Sequence, residues 1–570
     1  MPWQAISLDT ILNRHAHRPI QQAVHIIMLR ITNIKLPLDH SSSAIKEEVI
    51  RVLQLQESEL IGLSVFKRSH DARKGNLIFL IYSLDIELTA EAEARCLAQF
   101  AGKGSVKPSP DMQYKFVTEK LTNFPQAEQQ RPVIIGFGPC GILAALLLAQ
   151  MGLKPIVIER GQDVRQRTKD TWGLWRDRQL NEESNVQYGE GGAGTFSDGK
   201  LYTQIKDPKF YGRKVLTEFV KAGAPEEILY VSKPHIGTFK LVKMMENIRA
   251  EIIALGGEIR FGEKLEHLNI VDQQVEGLTL SSGEVIKTQH VILAIGHSAR
   301  DTFQTLLEDG VYIEAKPFSI GLRIEHPQSV IDKARFGEHA GNEILGAADY
   351  KLVHHCKDGR SVYSFCMCPG GTVVAAASEP GKLVINGMSE YSRNERNANS
   401  AIVVDVNPET DYPQHPLAGI DLQRQLEEKA YAMGGSNYNA PMQLVGDFLA
   451  GKASEKIGSV TPSYKPGVTL SDLSQLLPAF AVRAIREAIP AFERQIKGFS
   501  MYDAVLTGVE TRTSSPICIK RDKISFNSIS TKGLYPAGEG AGYAGGILSA
   551  GVDGIKVAEA LAMDLLAARQ

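Results

Sequence analysis

The sequence predicts an α/β protein of several domains, and three observations lead to this prediction. The chain has 570 residues, which at about 150 residues per domain allows three or four domains. Hydrophobic residues make up 43% and charged residues 22%, which excludes a disordered or collagen-like chain. A glycine-rich turn after residue 135 separates a short apolar run from an apolar helical run, a pattern typical of a nucleotide-binding α/β unit.

The N-terminal segment, residues 28–120, predicts a ferredoxin-like α+β domain. Its predicted elements are, in order, a strand at 28–36, a helix at 42–53, strands at 60–66 and 77–84, a helix at 90–100 and a strand at 113–117. This βαββαβ order is the one that ferredoxin-like domains have. The segment shows no catalytic constellation, which favours a docking or capping role. The polar residues 126–130 predict a linker.

Charge and cysteine content restrict the partners and the compartment. The net charge of −2 gives no reason to expect nucleic-acid binding through bulk charge. The six cysteines include no CxxC pair and no zinc-site spacing, so neither a disulfide scaffold nor a metal site is expected. The N-terminal residues lack the apolar core of a signal peptide, which favours a cytoplasmic location. Residues 132–153 carry no charge, but the glycines near their start favour a strand, a turn and a buried helix over a membrane span.

The strongest motif is a GxGxxG turn between an apolar strand and a helix. It consists of Gly136, Phe137, Gly138, Pro139, Cys140 and Gly141. Gly136 permits the tight turn, Gly138 lets the backbone approach a pyrophosphate, and Gly141 lets helix and strand pack closely. Phosphates would then face the helix N-terminus. The next strand ends in Glu159, 18 residues after Gly141, where an acid can bind ribose hydroxyls. These features predict a Rossmann-type dinucleotide site.

Further segments resemble FAD proteins. Glu159-Arg160-Gly161 resembles the end of their second strand, and the apolar strand 291–295 ending in Gly296 resembles the one that precedes the second crossing of the FAD domain. Residues 533–540 are similar to their C-terminal motif, with Glu539 where most carry Asp. Gly545, Gly546 and Ile547 then open the last helix, whose amides would face the flavin.

A third glycine cluster at 189–200 has no helical period and could form an anion nest. Together these segments resemble the superfamily of glutathione reductase, p-hydroxybenzoate hydroxylase and fumarate reductase. The segments GEGGAGTFSDGKL, FCMCPGGTVV, NGMSEYSRN and GVETRTSSP are more closely similar to bacterial FAD-dependent dehydrogenases of uncharacterised substrate.

This resemblance implies a discontinuous FAD-binding domain, residues 131–312 and 505–570, with an α+β substrate domain inserted at 313–504. It implies non-covalent FAD and hydride transfer between a small substrate and the flavin. The cofactor-binding residues would be Gly136, Gly138, Pro139, Cys140, Gly141, Glu159, Arg160, Gly192, Gly194, Thr195, Gly296, Gly538, Glu539, Gly545, Gly546 and Ile547. No second strand–GxGxxG–helix unit with a following acid occurs, since the matching letters at 540–545 belong to the C-terminal FAD motif. A dedicated nicotinamide domain is therefore not expected, and NAD(P)H or another donor would bind only transiently. A flavin monooxygenase and an FAD-containing RNA-modifying or RNA-binding protein are the alternatives.

Four residues are candidates for catalysis. Cys366 and Cys368 form a CxC pair whose thiols, on a regular strand, would point to one face, as packing groups or as a redox pair. No Lys, Arg or His flanks the pair, which argues against a strong nucleophile. His297 could be an acid–base residue. Arg512, with Glu510 and Arg323, could bind a substrate anion or form structural ion pairs. His354 and His355 point to opposite faces of a strand, so the two are not expected to share a metal.

Overall fold

The computed structural model describes residues 28–73, 77–125, 130–412 and 415–567. The predicted linker at 126–130 therefore lies almost entirely outside the described residues. The chain divides into two compact units. The first comprises the described residues up to 68 together with 79–111, and the second comprises the described residues of 69–78 and those from 112 onward.

The first unit is a four-stranded sheet with two helices. Its elements are β1 (Leu29–Pro37), α1 (Ala44–Leu53), β2 (Leu60–Asp71), β3 (Phe79–Leu88), α2 (Ala90–Gln99) and β4 (Val106–Pro108). The sheet order is β2-β3-β1-β4, and β1 pairs antiparallel with β3 and β4. The element order is the predicted one, but the last strand was predicted at 113–117, which is wrong. Pairing with β1 ends at Pro108, and Pro110 has no N–H to extend the ladder.

The second unit begins with alternating strands and helices. These are β5 (Val133–Ile135), α3 (Pro139–Gln150), β6 (Ile156–Glu159), α4 (Val164–Asp177), α5 (Tyr211–Lys221), α6 (Thr238–Ala254), β7 (Glu258–Phe261), β8 (Leu265–Val271), β9 (Gln274–Leu280), β10 (Val285–Lys287), β11 (Val291–Leu293) and α7 (Arg300–Glu308). The predicted strand, turn and buried helix at 132–153 are confirmed. None of the helices in the described ranges has the length and apolar character that a membrane span requires.

A strand-rich region follows. Its elements are β12 (Ile313–Ala315), β13 (Phe318–Pro327), α8 (Gln328–Phe336), β14 (Val353–His355), β15 (Ser361–Ala375), β16 (Ile385–Ser389), β17 (Asn397–Val406), α9 (Ala418–Met433), β18 (Ala440–Leu444), α10 (Val445–Ala450), β19 (Val468–Leu470), α11 (Ala479–Glu493) and β20 (Val505–Glu510). The chain ends with β21 (Ile517–Ile519), β22 (Leu534–Pro536) and α12 (Ile547–Ala567).

Strands from both ends of the second unit form one parallel sheet. Its order is β22-β11-β5-β6-β7, and every neighbouring pair is parallel. From β7 to β22 this is the order 3-2-1-4-5 in sequence, which matches five of the six positions of the Rossmann order 3-2-1-4-5-6, and the last strand is supplied by the C-terminal region. Helix α3 is buried on nearly all sides, as a helix without an amphipathic face should be. It packs closely on α12 at Gly554, where the absence of a side chain allows the approach: a Cβ there would lie 2.2 Å from the Cys140 carbonyl oxygen.

The inserted region forms a separate eight-stranded sheet. Its order is β14-β15-β17-β13-β20-β18-β19, with β16 paired to β15. Strand β20 belongs to this sheet, so the predicted boundary at 505 is wrong and the crossover to the nucleotide-binding part follows residue 510. All six residues of β20 are buried, including Thr507 and Glu510, and so short a segment does not indicate which sheet it joins. The stretch from about 422 to 497, predicted as helical, also contains β18 and β19, because short buried runs have no distinguishing period.

Candidate functional site

A cavity of about 590 Å³ lies at the carboxyl ends of the parallel strands. Its walls include the residues that follow β5, β6, β11 and β22, and the segment just before α12. Ligands of open α/β sheets bind at this edge, and the volume lies within the range of about 300–1,000 Å³ for small-molecule sites. The strand order therefore places the cavity where a nucleotide would bind.

At two positions of the glycine turn at 136–141, Gly136 and Gly141, the surrounding contacts leave no space for a side chain. Gly136 has φ +96°, and a Cβ there would lie 2.4 Å from the Ala294 carbonyl oxygen. A Cβ on Gly141 would lie 2.0 Å from the Gly136 carbonyl oxygen. Gly138 precedes the first residue of α3, with no side-chain cap. The free N–H groups at this helix N-terminus favour an anion in the cavity.

The Glu159 carboxylate joins three loops at the cavity. Its Oε2 accepts a hydrogen bond from the Phe137 amide (2.8 Å), and its Oε1 accepts from the amides of Gly161 and Gly189 (both 2.9 Å). A carboxylate oxygen has about two lone-pair sites, so Oε2 can accept one further hydrogen bond. Glu159 is therefore a structural acceptor that still has capacity for a ribose hydroxyl.

Glu539 contributes a second carboxyl group to the cavity. Its Oε1 accepts a hydrogen bond from the Ser515 amide (3.0 Å), while its Oε2 is buried and has no partner among the described residues. Burial raises the pKa of Glu539, against the opposing effects of the Ser515 amide and of Lys316. An unpartnered buried carboxyl oxygen on a cavity wall indicates a ligand group that would complete its hydrogen bonding.

The glycine cluster at 189–200 is held in place by Arg167, a residue that no sequence motif indicated. Residues Gly192–Phe196 form a 3-10 turn, where no helical element was expected. Arg167 of α4 is fully buried and donates hydrogen bonds to the carbonyls of Asn185, Val186, Gly189 and Glu190. The cluster then packs on the glycine turn, and a Cβ on Gly192 would lie 2.8 Å from Gly138 Cα.

The structure brings most of the predicted cofactor residues to one cavity. Fourteen of the sixteen line it, namely Gly136, Gly138, Pro139, Cys140, Glu159, Arg160, Gly192, Gly194, Gly296, Gly538, Glu539, Gly545, Gly546 and Ile547. Gly141 lies behind the turn as a packing residue, and Thr195 lines a small neighbouring cavity instead. Arg160 lines the wall while its guanidinium pairs with Glu183 and Asp301.

The far end of the cavity is built by the inserted region and the end of the glycine cluster. Its lining includes Lys200, Cys366, Asn386 and Glu510. Cys366 lines the cavity, whereas Cys368 is fully buried behind it. The strand is bulged between the two cysteines, so the regular alternation that the prediction assumed does not apply, although the two side chains still interact.

Two cations lie near these thiols, although no Lys, Arg or His flanks them in the sequence. Lys200 donates to the Met367 carbonyl and lies 3.2 Å from Asp198, and Arg323 donates to the Cys366 carbonyl at 3.3 Å. A hydrogen bond with the Cys368 thiol, together with Lys200 and Arg323, holds the pKa of Cys366 below its ordinary value. Both cations come from distant parts of the chain, so neighbouring sequence could not reveal them.

His297 and Arg512 also lie on the cavity wall. Burial, with Arg512 and Arg300, lowers the pKa of His297 to about 3, so its imidazole is neutral near pH 7 and a weak base. Arg512 makes a two-point ion pair with Glu427 (3.0 and 2.8 Å). Of the two readings left open for Arg512, its contacts favour the structural ion pair.

His354 and His355 do not act together. His354 pairs with Glu487 at 3.1 Å, while His355 contacts Ser361. No metal site was expected from the sequence. Potential ligand atoms of His354, Cys356 and Glu487 nevertheless lie within 4.8 Å of one another, and these residues do not line the cavity.

Comparisons with known proteins relate this architecture to two family models. Residues 317–513 match the family described as "FAD-dependent protein, C-terminal domain-like", which corresponds to the inserted region including β20. Residues 28–87 match a "Domain of unknown function (DUF8436)". The inserted region is thus of a type that occurs in FAD-dependent proteins.

A protein of Clostridium beijerinckii, described as "Uncharacterized protein", is 47% identical over 534 residues, which are 93% of this chain and 98% of that protein. The chain belongs to the same family as this clostridial protein. Family membership therefore covers both described units.

Solved structures with similar folds are more distant from this family. The L-amino acid deaminase from Proteus vulgaris is 12% identical, with a TM-score of 0.36 and coverage of 79% of this chain and 96% of that chain. The halogenase PltM is 13% identical, with a TM-score of 0.35 and coverage of 78% and 70%. The glycerol-3-phosphate dehydrogenase from Bacillus halodurans complexed with FAD is 12% identical, with a TM-score of 0.33 and coverage of 77% and 66%.

The residues at the cavity fit FAD. Two helix N-termini, those of α3 and α12, meet at its wall, and a pyrophosphate is the anion that such termini bind. Glu159 has capacity for a ribose hydroxyl, and Glu539 has an unpartnered oxygen. No atom lies within 4 Å of the Cβ position of Gly296, so the backbone there is open to a ligand.

Proposed function

We propose that the protein is an FAD-dependent oxidoreductase that binds FAD non-covalently and acts on a small-molecule substrate. The observation that carries this proposal is the single cavity, which continues from the glycine turn at 136–141 to residues of the inserted region such as Cys366 and Glu510. A dinucleotide and a substrate could share it. Bound FAD would supply the hydride chemistry, accepting or donating two electrons at its ring.

The protein would bind the dinucleotide through backbone groups. The amides at the start of α3 would face one side of the pyrophosphate and Gly138 would allow its approach. Glu159 Oε2 would accept a hydrogen bond from the adenosine ribose, and Glu539 would bond the region between pyrophosphate and ribityl chain. The start of α12 would place amides near the ring, where they stabilise negative charge.

The inserted sheet would orient the substrate and exclude water. The imidazole of His297 is neutral at pH 7, because burial and two guanidinium groups oppose its protonated form. It could donate or accept a hydrogen bond with a ligand, but it would not act as a cationic acid. Only the GxGxxG turn at 136–141 is followed by a strand that ends in an acid, Glu159, so we propose that NAD(P)H or another electron donor binds transiently.

Two measurements test the proposal. The flavin released by acid from the purified protein should elute as FAD at about one equivalent per chain; FMN, or no flavin after loading, would contradict the cofactor. Anaerobic photoreduction followed by a screen of oxidants should then identify compounds that reoxidise the flavin. Rapid reoxidation by oxygen coupled to NAD(P)H consumption and substrate hydroxylation would favour a monooxygenase.

A further inference from the structure

A bulge in β15 presents Cys366 to the cavity. Phe365 lies opposite Ala401 and Cys368 opposite Asn399, so three steps along β15 match two along β17. Cys366 has φ +44°, a left-handed conformation that residues with a Cβ adopt at a cost. Such bulges re-aim side chains beside active sites. Cys366 lines the cavity as a result, while the buried Cys368 thiol donates to the Cys366 carbonyl at 3.3 Å.

The side chains of Lys200 and Arg323 donate hydrogen bonds to backbone carbonyls next to this thiol. Lys200 Nζ donates to the Met367 carbonyl, and Arg323 Nη1 donates to the Cys366 carbonyl at 3.3 Å. Arg323 is completely buried and is held in place by Asn399 (2.6 Å). A thiol beside fixed cations is favoured in its ionised form, which is the nucleophilic one.

Negative groups nearby only partly oppose this effect. The charged and titratable groups that face Cys366 are Lys200, Arg323, Asp198, Glu510 and Cys368. Asp198 is itself paired with Arg393 (2.9 Å), and Glu510 is paired with Arg323 (3.1 Å). The hydrogen bond with Cys368 and the two cations therefore outweigh burial, and the pKa of Cys366 is lowered.

Lys200 also has a donor to offer to a ligand. An ammonium group has three N–H donors, and the contacts within the described residues are with the Met367 carbonyl and Asp198. Lys200 lines the same cavity as Cys366.

We propose that Cys366 is an ionised nucleophile that adds to a carbonyl carbon of the bound substrate, and that Lys200 donates a hydrogen bond to the carbonyl oxygen. In this step a bond forms between Sγ and carbon, and the π pair of the carbonyl moves to oxygen. Neither the thiolate nor the substrate is oxidised or reduced in this step. The substrate class is thus a small aldehyde or ketone. The inference rests on the proposed function only in assuming that the substrate enters this cavity.

The first test is alkylation of the full-length, flavin-loaded protein by iodoacetamide, in which Sγ forms a bond to carbon and iodide leaves. Peptide mass spectrometry locates the label at each pH. We expect the rate at Cys366 to change less than about twofold between pH 6.5 and 8.5. An ordinary thiol, with a pKa of about 8.5, would react about fiftyfold faster at the upper pH. That steep rise, or no label on Cys366 at any pH, would overturn the proposal.

Variants of Lys200 test the electrostatic cause. Lys200→Met should slow alkylation of Cys366 at pH 6.5 at least tenfold, and Lys200→Arg should restore most of the rate. Lys206→Met, which removes an exposed lysine of the same segment, is the matched control and should change nothing. An unchanged rate in Lys200→Met would overturn the assigned role of Lys200.

Carbonyl addition is tested by competition. Acetaldehyde should protect Cys366 from iodoacetamide in the wild-type protein, and less in Lys200→Met, because the adduct loses its hydrogen-bond donor. Absence of protection would exclude the carbonyl class. Flavin content is measured in the same samples, so a protein that lacks FAD refutes the proposed function, whereas a loaded protein with an ordinary Cys366 refutes only this inference.

Discussion

At the scale of single residues, Glu539 is a side chain of the cavity wall whose hydrogen bonding is incomplete. One carboxyl oxygen accepts the Ser515 amide, and the other has no partner among the described residues. Because burial raises its pKa, the protonated form is favoured, and the associated stability is lost as the pH rises through the folded-state pKa. A bound pyrophosphate would strengthen this preference, since a second negative charge nearby disfavours ionisation.

FAD affinity should therefore fall with rising pH, and Glu539→Gln should remove most of that dependence. We expect the Kd of the wild-type protein to increase by up to about tenfold as the pH rises from 4.5, the ordinary value for this carboxyl group, to about 9, which corresponds to about one pKa unit of coupling. The neutral amide cannot ionise, so the Kd of the variant should stay nearly constant. Fluorescence titration of the flavin-free protein measures both. Parallel slopes for the two proteins would show that Glu539 is not the titrating group.

The environment of Cys366 illustrates what single-sequence reasoning misses. The motif CMCP indicated a regular strand, but the strand is bulged between the two cysteines, and Cys366 lines the cavity while Cys368 is buried. Lys200 and Arg323 reach the backbone beside Cys366 from distant positions, so no local pattern indicates them. In contrast, the glycines of the turn were predictable because their role is local, in positive φ at Gly136 and close packing at Gly141.

At the scale of elements, the unit formed by β5, the glycine turn and α3 makes a sharp prediction. Gly138 has φ −81°, and a Cβ there would lie 3.5 Å from Gly192 Cα, which is ordinary contact. The folded protein can therefore accept a side chain whose bulk points into the cavity. Gly138→Val should weaken FAD binding at least a hundredfold while the Tm of the flavin-free protein changes by only a few degrees.

Gly173→Val is the matched control for this change. Gly173 lies on α4, does not line the cavity, and a Cβ there would meet only the Gln179 carbonyl oxygen at 3.6 Å. FAD binding should be unaffected. If Gly138→Val bound FAD normally, the pyrophosphate would not lie at this turn.

Element types were predictable where the pattern was long or a motif fixed it, as for the helix after the glycine turn. The sheet to which a short strand belongs was not. β20 and β22 are both short and fully buried, yet one joins the eight-stranded sheet and the other the parallel sheet. Tertiary packing decides which strands they pair with, and segments of six or three residues are too short to show a hydrophobic period that would indicate it.

At the scale of the whole molecule, a buried ion network joins the nucleotide-binding part to the inserted region. Glu427 of α9 is completely buried and pairs with Arg300 of α7 (2.6 Å) and with Arg512 (2.8 Å), which follows β20. Although burial alone would raise it, the two guanidinium groups hold the pKa of Glu427 below its ordinary value. Its stabilising contribution is thus present above pH 4.5 and is lost as the pH falls below that value.

Glu427→Gln should destabilise the protein by about 3–5 kcal/mol, because two buried guanidinium groups lose their counter-charge. The neighbouring change Glu428→Gln breaks only a pair with Lys382 at an exposed carboxylate (58%) and should cost less than about 1 kcal/mol. Denaturant unfolding at pH 7 compares the two. Equal costs would mean that the network does not hold the two parts together.

The order of strands in the parallel sheet also has a consequence for biosynthesis. β11 ends at Leu293, but its neighbour β22 begins at Leu534, about 240 residues later. At about 5–20 residues per second, a ribosome needs on the order of 10–50 s to make the intervening chain. Throughout that interval the edge of β11 lacks its final partner, and the wall that contains Glu539 does not yet exist. The emerging polypeptide can therefore complete this cavity only after β22 and the segment that follows it have been synthesised.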